Sequence, residues 1–200
     1  MFQCPKLGFL ASRNGSSFRA VVEAIAEGSL AADPVLLVSN SRKSAALDFA
    51  VERDIPTLVL PTQADPDAAD RRLCEAMTEA GVEFIVLSGY LRRLGPVTLG
   101  AFHNRVLNIH PGPLPAFGGE GMYGRRVHEA VIAAGVAASG VTIHLVDEVY
   151  DHGPALARWE VPLEPGETAD SLEARVTALE PRLFVETLRR IVAGDLALPG

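Results

Sequence analysis

The chain has 200 residues, with 18 basic and 25 acidic side chains and a formal charge of -7 at pH 7. That length suits one domain spanning residues 1–200, and it buries on the order of 70% of the unfolded surface, enough to need no cross-links. A hydrophobic share of 48% with 22% charged residues excludes a disordered chain. The acidic balance disfavours broad nucleic-acid binding, whose affinity comes from clustered Lys and Arg, but it leaves room for a small anionic ligand in a local pocket.

The segment Met1 to Lys6 has no basic stretch, long apolar run or cleavage site of a leader peptide. No apolar run in the sequence approaches the ~18 residues of a membrane span. Cys4 and Cys74 are too few for a disulfide framework or a structural zinc site, and read as free thiols. The expected location is the cytoplasm.

Short apolar runs then alternate with longer segments of helical period. Leu7 to Ala11 reads as a strand, Phe18 to Glu27 as a helix, Val35 to Val38 as a strand and Ala45 to Arg53 as a helix. Thr57 to Leu60 follows as a strand, and Ala68 to Ala80 as a helix stopped at Gly81. Phe84 to Leu87 is continuously apolar, as a strand covered on both faces should be. This alternation with short connections predicts βαβ units: a doubly wound, mostly parallel sheet with helices on both faces, an α/β fold of Rossmann-like class. Beyond it, Arg105 to His110 reads as a strand, Val127 to Ala134 as a helix, and Val141 to Val146 with Ala155 to Val161 as two strands across a polar turn. That pair is the antiparallel element near the C-terminus. Ser171 to Ala193 closes the chain as a helix, with an interruption expected at Pro181.

Three segments carry candidate chemistry. Ser12 to Ser17 links the first strand to the first helix. A helix N-terminus presents unpaired N–H groups, Gly15 permits close approach, and Ser16 and Ser17 add hydroxyls. The same residues are also good helix caps, and the segment is neither a Gly-x-Gly-x-x-Gly fingerprint nor a P-loop. In Val106 to Pro115, Asn108 and His110 stand two apart in a strand and project together at its carboxyl end, where open α/β sheets bind ligands. Asn can donate to a carbonyl oxygen, and His can stabilise an oxyanion or move a proton. In Val146 to Pro154, Asp151 precedes His152-Gly153, where a carboxylate can raise the pKa of a nearby imidazole and orient it. His144 reads as a satisfied core residue, while His103, His128 and His152 read as solvated. Gly118 to Gly124 reads equally as a mobile lid or an ordinary connection. No set of residues has metal-ligand spacing.

Taken in order, Asn108-Ile109-His110-Pro111, Leu114-Pro115 and Asp151 before Gly153-Pro154 resemble the formyltetrahydrofolate-dependent formyltransferases, from about Leu7 to Ile191. The resemblance implies 10-formyltetrahydrofolate as formyl donor, no metal, and, in the branch most similar to this chain, the amine of glycinamide ribonucleotide as acceptor in purine synthesis. It implies Asn108, His110 and Asp151 as catalytic residues. Gly15, Ser16 and Ser17 would hold the acceptor's phosphate through backbone N–H groups, and Glu180 would bind the ribonucleotide. Leu91, Arg92, Arg93 and Leu94 would line the pterin site, with Asn108 also touching the donor and Glu148 in a loop closing over it. The expected partners are these small molecules, with no nucleic acid or membrane and with a monomer or homodimer as the assembly.

Some positions depart from the family pattern. Ser17 stands where Asn is common, Gly112 and Pro113 follow His-Pro, and Gly118 to Gly124 resembles one branch only. An arginine used by some members for the folate tail falls at Pro66. Two relatives sharing this core differ in length: the hydrolase that passes the formyl group to water adds an N-terminal regulatory domain, and the tRNA enzyme adds a C-terminal extension. A non-catalytic binding module on this fold would have no reason to keep Asn108, His110 and Asp151 together.

Overall fold

The structure is a computed structural model and describes residues 4–199. The readings of Met1 to Gln3 as leader-free and of Gly200 as part of the domain lie outside the described residues. The chain order is β1 (Lys6–Leu10), α1 (Ser16–Ala26), β2 (Asp33–Ser39), α2 (Ala45–Val51), β3 (Thr57–Val59), α3 (Pro66–Glu79), β4 (Phe84–Leu87), α4 (Pro96–Ala101), β5 (Val106–His110), α5 (Arg125–Ala134), β6 (Ala138–Leu145), β7 (Ala155–Pro162) and α6 (Ala169–Ala193). One seven-stranded sheet has the order β3-β2-β1-β4-β5-β6-β7. Pairs from β3 to β5 are parallel, while β5–β6 and β6–β7 are antiparallel. The strand order reverses between β1 and β4, and the crevice at such a switch point is where open sheets take ligands.

Period-two alternation sorts the strand residues between two cores. Leu7 and Phe9 of β1 and Phe84 and Val86 of β4 join the core under α1, α2, α5 and α6. Leu10 of β1 and Ile85 and Leu87 of β4 face the opposite core under α3 and α4. Gly8 has no room for a side chain, since a Cβ there would stand 2.5 Å from Met77 Sδ on α3.

On β5 and β6 the alternation changes character. Leu107, Val141, Ile143 and Leu145 face the first core, with Ile109 packed against it. The opposite face of these two strands therefore carries Asn108, His110, Thr142 and His144. The connections 111–124 and 146–153 meet that patch, through Gly112 and Phe117 of the first and Asp151 of the second.

One helix has no counterpart in the sequence reading, and one expectation about a helix is corrected. α4 went unpredicted because it has only six residues, opened by Gly95-Pro96, a dipeptide that reads as loop. Asp70 makes it possible: its carboxylate accepts from Val97 N at 2.8 Å and Thr98 N at 3.2 Å. α6 runs unbroken through Pro181. An interior proline costs about 3 kcal/mol, but Leu172 and Val176 before it and Leu183, Phe184, Leu188 and Ile191 after it are buried in one core, which holds both halves in line. α6 opens with a capping box between Thr168 and Ser171. Among the described residues no helix is long and apolar enough to cross a membrane.

Candidate active site

β5 delivers Asn108 half-buried and His110 at 3% exposure, side by side on the polar face. Antiparallel pairing sets His144 directly opposite Asn108, with the Asn108 amide nitrogen 3.1 Å from His144 Nε2. Asp151 comes from the β6–β7 connection, held at a left-handed φ of 55° that turns its carboxylate back over the sheet. Its Oδ2 accepts from Gly119 N at 3.0 Å and lies 3.4 Å from His110 Nδ1. Its Oδ1 lies 3.5 Å from His144 Nε2. Asn108, His110 and Asp151 are thus brought together, and His144 joins them. That last residue was expected to be a satisfied core histidine. The pattern Val141-Thr142-Ile143-His144-Leu145 held the signal, since it alternates as Leu107-Asn108-Ile109-His110 does.

The carbonyl of Phe117 decides where the His110 proton sits. His110 Nε2 is 2.7 Å from that oxygen, which can only accept, so Nε2 carries the hydrogen. Nδ1 is left as the basic nitrogen facing Asp151. Burial lowers the His110 pKa and outweighs the opposing pull of Asp151 and the Phe117 bond. Burial thus outweighs the pull of a carboxylate that the sequence placed to raise the pKa of a nearby imidazole. For Asp151, burial pushes the carboxyl up, but hydrogen bonding to His144, attraction to the His110 ring once acid has protonated it, and the Gly119 N–H outweigh it and bring the pKa below the usual range. The result is an ionised carboxylate beside a neutral, buried imidazole whose free nitrogen points at it. A proton arriving at Nδ1 completes an ion pair, which suits this pair to receive a proton during reaction.

Gly15 is the N-cap of α1, at φ 64° and ψ 50°, where an added Cβ would also stand 3.1 Å from Ala46 Cβ. Ser88 Oγ, from the end of β4, accepts from Phe18 N at 2.9 Å, leaving the N–H groups of Ser16 and Ser17 free of a side-chain cap. Ser16 is half-buried and Ser17 only 1% exposed. Ser12 Oγ stitches two loops at the switch point, donating to Asn40 Oδ1 at 2.6 Å and accepting from Leu91 N at 2.8 Å.

On the α3–α4 face lies a cavity of about 740 Å³. Tyr90, Arg92, Arg93 and Leu94 line it from the β4–α4 connection, Leu73 and Asp70 from α3, and Glu148 from the loop that carries Asp151. Leu91 stands outside that lining with its side chain half exposed. Pro66 also lines the cavity. Burial raises the Tyr90 hydroxyl to about 12. Asp70 and Gln63, which also line the cavity, were missed from sequence, because nothing local marks which face of a loop or helix becomes a cavity wall.

Glu180 stands on α6, and burial, with Glu173 adding to it, raises its carboxyl pKa to about 7. His128, expected to be solvated, is 1% exposed on α5, with no partner for its Nδ1 among the described residues. It follows Val127 on the buried stripe of α5. His103 is exposed, as expected, and exposed His152 pairs with Asp147 at 2.7 Å. Among the described residues no group of His, Cys, Asp and Glu is placed to hold a metal ion.

The chain has relatives among known proteins in both sequence and fold. Residues 5–188 match the family described as formyl transferase. The chain is 40% identical over 188 residues to the chloroplastic phosphoribosylglycinamide formyltransferase of Vigna unguiculata, covering 93% of this chain and 60% of that protein. It spans 65% of the corresponding Arabidopsis thaliana protein, so it is shorter than these plant relatives by about a third or more. Phosphoribosylglycinamide formyltransferase of Bacillus subtilis is 31% identical, with 94% of each chain covered. Among solved structures, that of phosphoribosylglycinamide formyltransferase from Bacillus halodurans superposes with a TM-score of 0.86 at 31% identity, covering 95% of this chain and 96% of the other. A formyltetrahydrofolate deformylase from Pseudomonas syringae, at 22% identity, shares the fold. With the family match running through both the phosphate-type loop and the Asn108–His110–Asp151 cluster, the chain belongs to the formyl transferase family.

Proposed function

We propose that this protein is a single-domain, cytoplasmic enzyme that transfers the formyl group of 10-formyltetrahydrofolate to the amine of glycinamide ribonucleotide. The observation that carries the reading is the gathering of Asn108, His110 and an ionised Asp151 on one polar patch beside the switch point. The relatives' shared name, phosphoribosylglycinamide formyltransferase, supplies the acceptor and the group transferred, and the resemblance of the motifs supplies the folate donor.

The residues fit them. A cavity of about 740 Å³ is of ligand-binding size, with Leu73, Leu94 and Tyr90 for a flat ring and Arg92 for a carboxylate. The free N–H groups after Gly15 suit a phosphate without any basic side chain, which reconciles an anionic substrate with a net charge of -7. Glu180 is assigned to the ribonucleotide.

In the reaction the acceptor amine attacks the formyl carbon, and the carbonyl oxygen gains negative charge. Asn108 donates to that oxygen, and preorganised donors of this kind are worth about 3 kcal/mol each. The amine's proton passes to His110 Nδ1, where Asp151 stabilises the imidazolium that forms. The tetrahedral species then collapses, the C–N bond to the folate breaks, and the proton leaves with the folate nitrogen. Holding both substrates in one cleft replaces a bimolecular encounter with an oriented one. No metal, nucleic acid or membrane has a part in this scheme, and the assembly is a monomer or homodimer.

The test mixes purified protein with 10-formyltetrahydrofolate and follows folate release with and without glycinamide ribonucleotide. Release that depends on the ribonucleotide supports the transferase. Comparable release in water alone favours a hydrolase, and no release favours a binding module.

A further inference from the structure

The guanidinium of Arg93 joins two parts of the site that the scheme above treats separately. From the wall of the cavity, its Nη2 donates to the carbonyl of Glu148, and its Cζ lies 5.5 Å over the ring of Tyr150. Both partners belong to the loop that ends in Asp151. That loop is also tied to itself: Asp147 accepts from Val149 N at 2.8 Å and pairs with His152 at 2.7 Å. With those contacts inside the loop, its anchoring to the cavity wall bears on where Asp151 stands.

Tyr150 is half exposed and immediately precedes Asp151. With Asp151 in the left-handed region, the backbone reverses there. The Tyr150 ring turns toward Arg93 and the Asp151 carboxylate toward His110. Each contact alone is modest, because Arg93 and Tyr150 are exposed to water. Their value is geometric, since a shift of about 1 Å in a catalytic group costs roughly 10²-fold when orientation limits the rate.

We infer that Arg93 is a positioning residue: it latches the 146–152 loop to the wall of the donor cavity and thereby holds Asp151 against His110. This deepens the proposed function and rests on it for its kinetic part, whereas the latch itself is testable without catalysis. It differs from a simple role for Arg93 as a positive charge that attracts an anionic donor. A point charge would work equally well as lysine and would not need Tyr150.

Two measurements on Arg93→Met, Arg93→Lys, Tyr150→Ala and the double variant Arg93→Met/Tyr150→Ala decide the matter. The first is amide hydrogen exchange of residues 147–152 in ligand-free protein. It should quicken several-fold in both Arg93→Met and Tyr150→Ala, with the rest of the sheet unchanged. Unchanged exchange overturns the latch, whatever reaction the enzyme performs. The second is steady-state kinetics in the formyl-transfer assay. The latch predicts that each single variant loses roughly 3- to 10-fold in kcat, that the acceptor KM holds, and that the double variant loses no more than the worse single. Multiplying losses in the double variant, or a donor-KM effect alone with full rescue by Arg93→Lys, overturn it. A wild-type enzyme with no transferase activity would refute the proposed function, while the exchange result would still judge the latch.

Discussion

Replacing Glu180 by Gln should stabilise the protein at alkaline pH and leave its stability at acid pH nearly unchanged. The folded-state carboxyl has its pKa raised from 4.5 to about 7, first by burial and then by Glu173. A carboxyl with a raised folded pKa favours the fold fully below its unfolded value, and that advantage is lost as pH rises toward 7. Each pKa unit corresponds to 1.36 kcal/mol, so ionising Glu180 in the fold costs about 3 kcal/mol at pH 8. Glutamine keeps the shape and has no charge to bury. Urea unfolding at about pH 4.5 and pH 8 measures the difference: Glu180→Gln gains up to about 3 kcal/mol over wild type at the higher pH and roughly nothing at the lower. The same substitution should raise the acceptor KM, because the destabilising carboxylate is the one assigned to the ribonucleotide. An equal change in stability at both pH values would refute the burial argument. An unchanged acceptor KM would remove Glu180 from the binding site.

Three other outcomes follow from the geometry. Asn108→Ala should lower kcat by roughly 10²-fold or more, with acceptor binding by calorimetry nearly intact; near-normal turnover would dismiss it as an oxyanion donor. Gly112→Ala should destabilise by about 1–3 kcal/mol in urea unfolding, because the new Cβ would stand 2.6 Å from Val127 Cγ1 and 3.2 Å from His110 Nε2. Adding Val127→Ala should recover part of that loss. Burial lowers the pKa of both His110 and His128. Their contribution to stability is therefore present above the unfolded value of 6.5 and lost as pH falls. In the Glu180→Gln background, with the opposing carboxyl gone, the melting temperature should fall between about pH 7 and pH 5. A flat profile would contradict the burial assigned to these two rings.

The first half of the fold was legible because its signals are local. Phe84 to Leu87 is apolar at every position, and such a run between helical periods has few readings other than a parallel strand covered on both faces. Asn108 and His110 were legible for the same reason, being a two-residue period at the end of an apolar strand. What stayed hidden depends on who packs against whom. Pro181 breaks helices as a local rule, yet buried side chains on both sides of it outweigh that rule. α4 exists because Asp70, distant in sequence, accepts its first N–H groups. The protonation of His110 depends on burial and on a backbone carbonyl at Phe117, and no residue type announces either. His144 lies between these cases: its alternation is visible in the sequence, but its pairing with Asn108 needs the register of β5 on β6.

The claim that Asn108, His110 and Asp151 carry formyl transfer is tested most directly by identifying the product. Wild type and Asp151→Asn are each incubated with 10-formyltetrahydrofolate and glycinamide ribonucleotide, and the formylated ribonucleotide is quantified by mass spectrometry. Wild type should convert the acceptor, and Asp151→Asn should form the same product at least about 10²-fold more slowly. Formate in place of formylated ribonucleotide, or equal rates from the two proteins, would contradict the account.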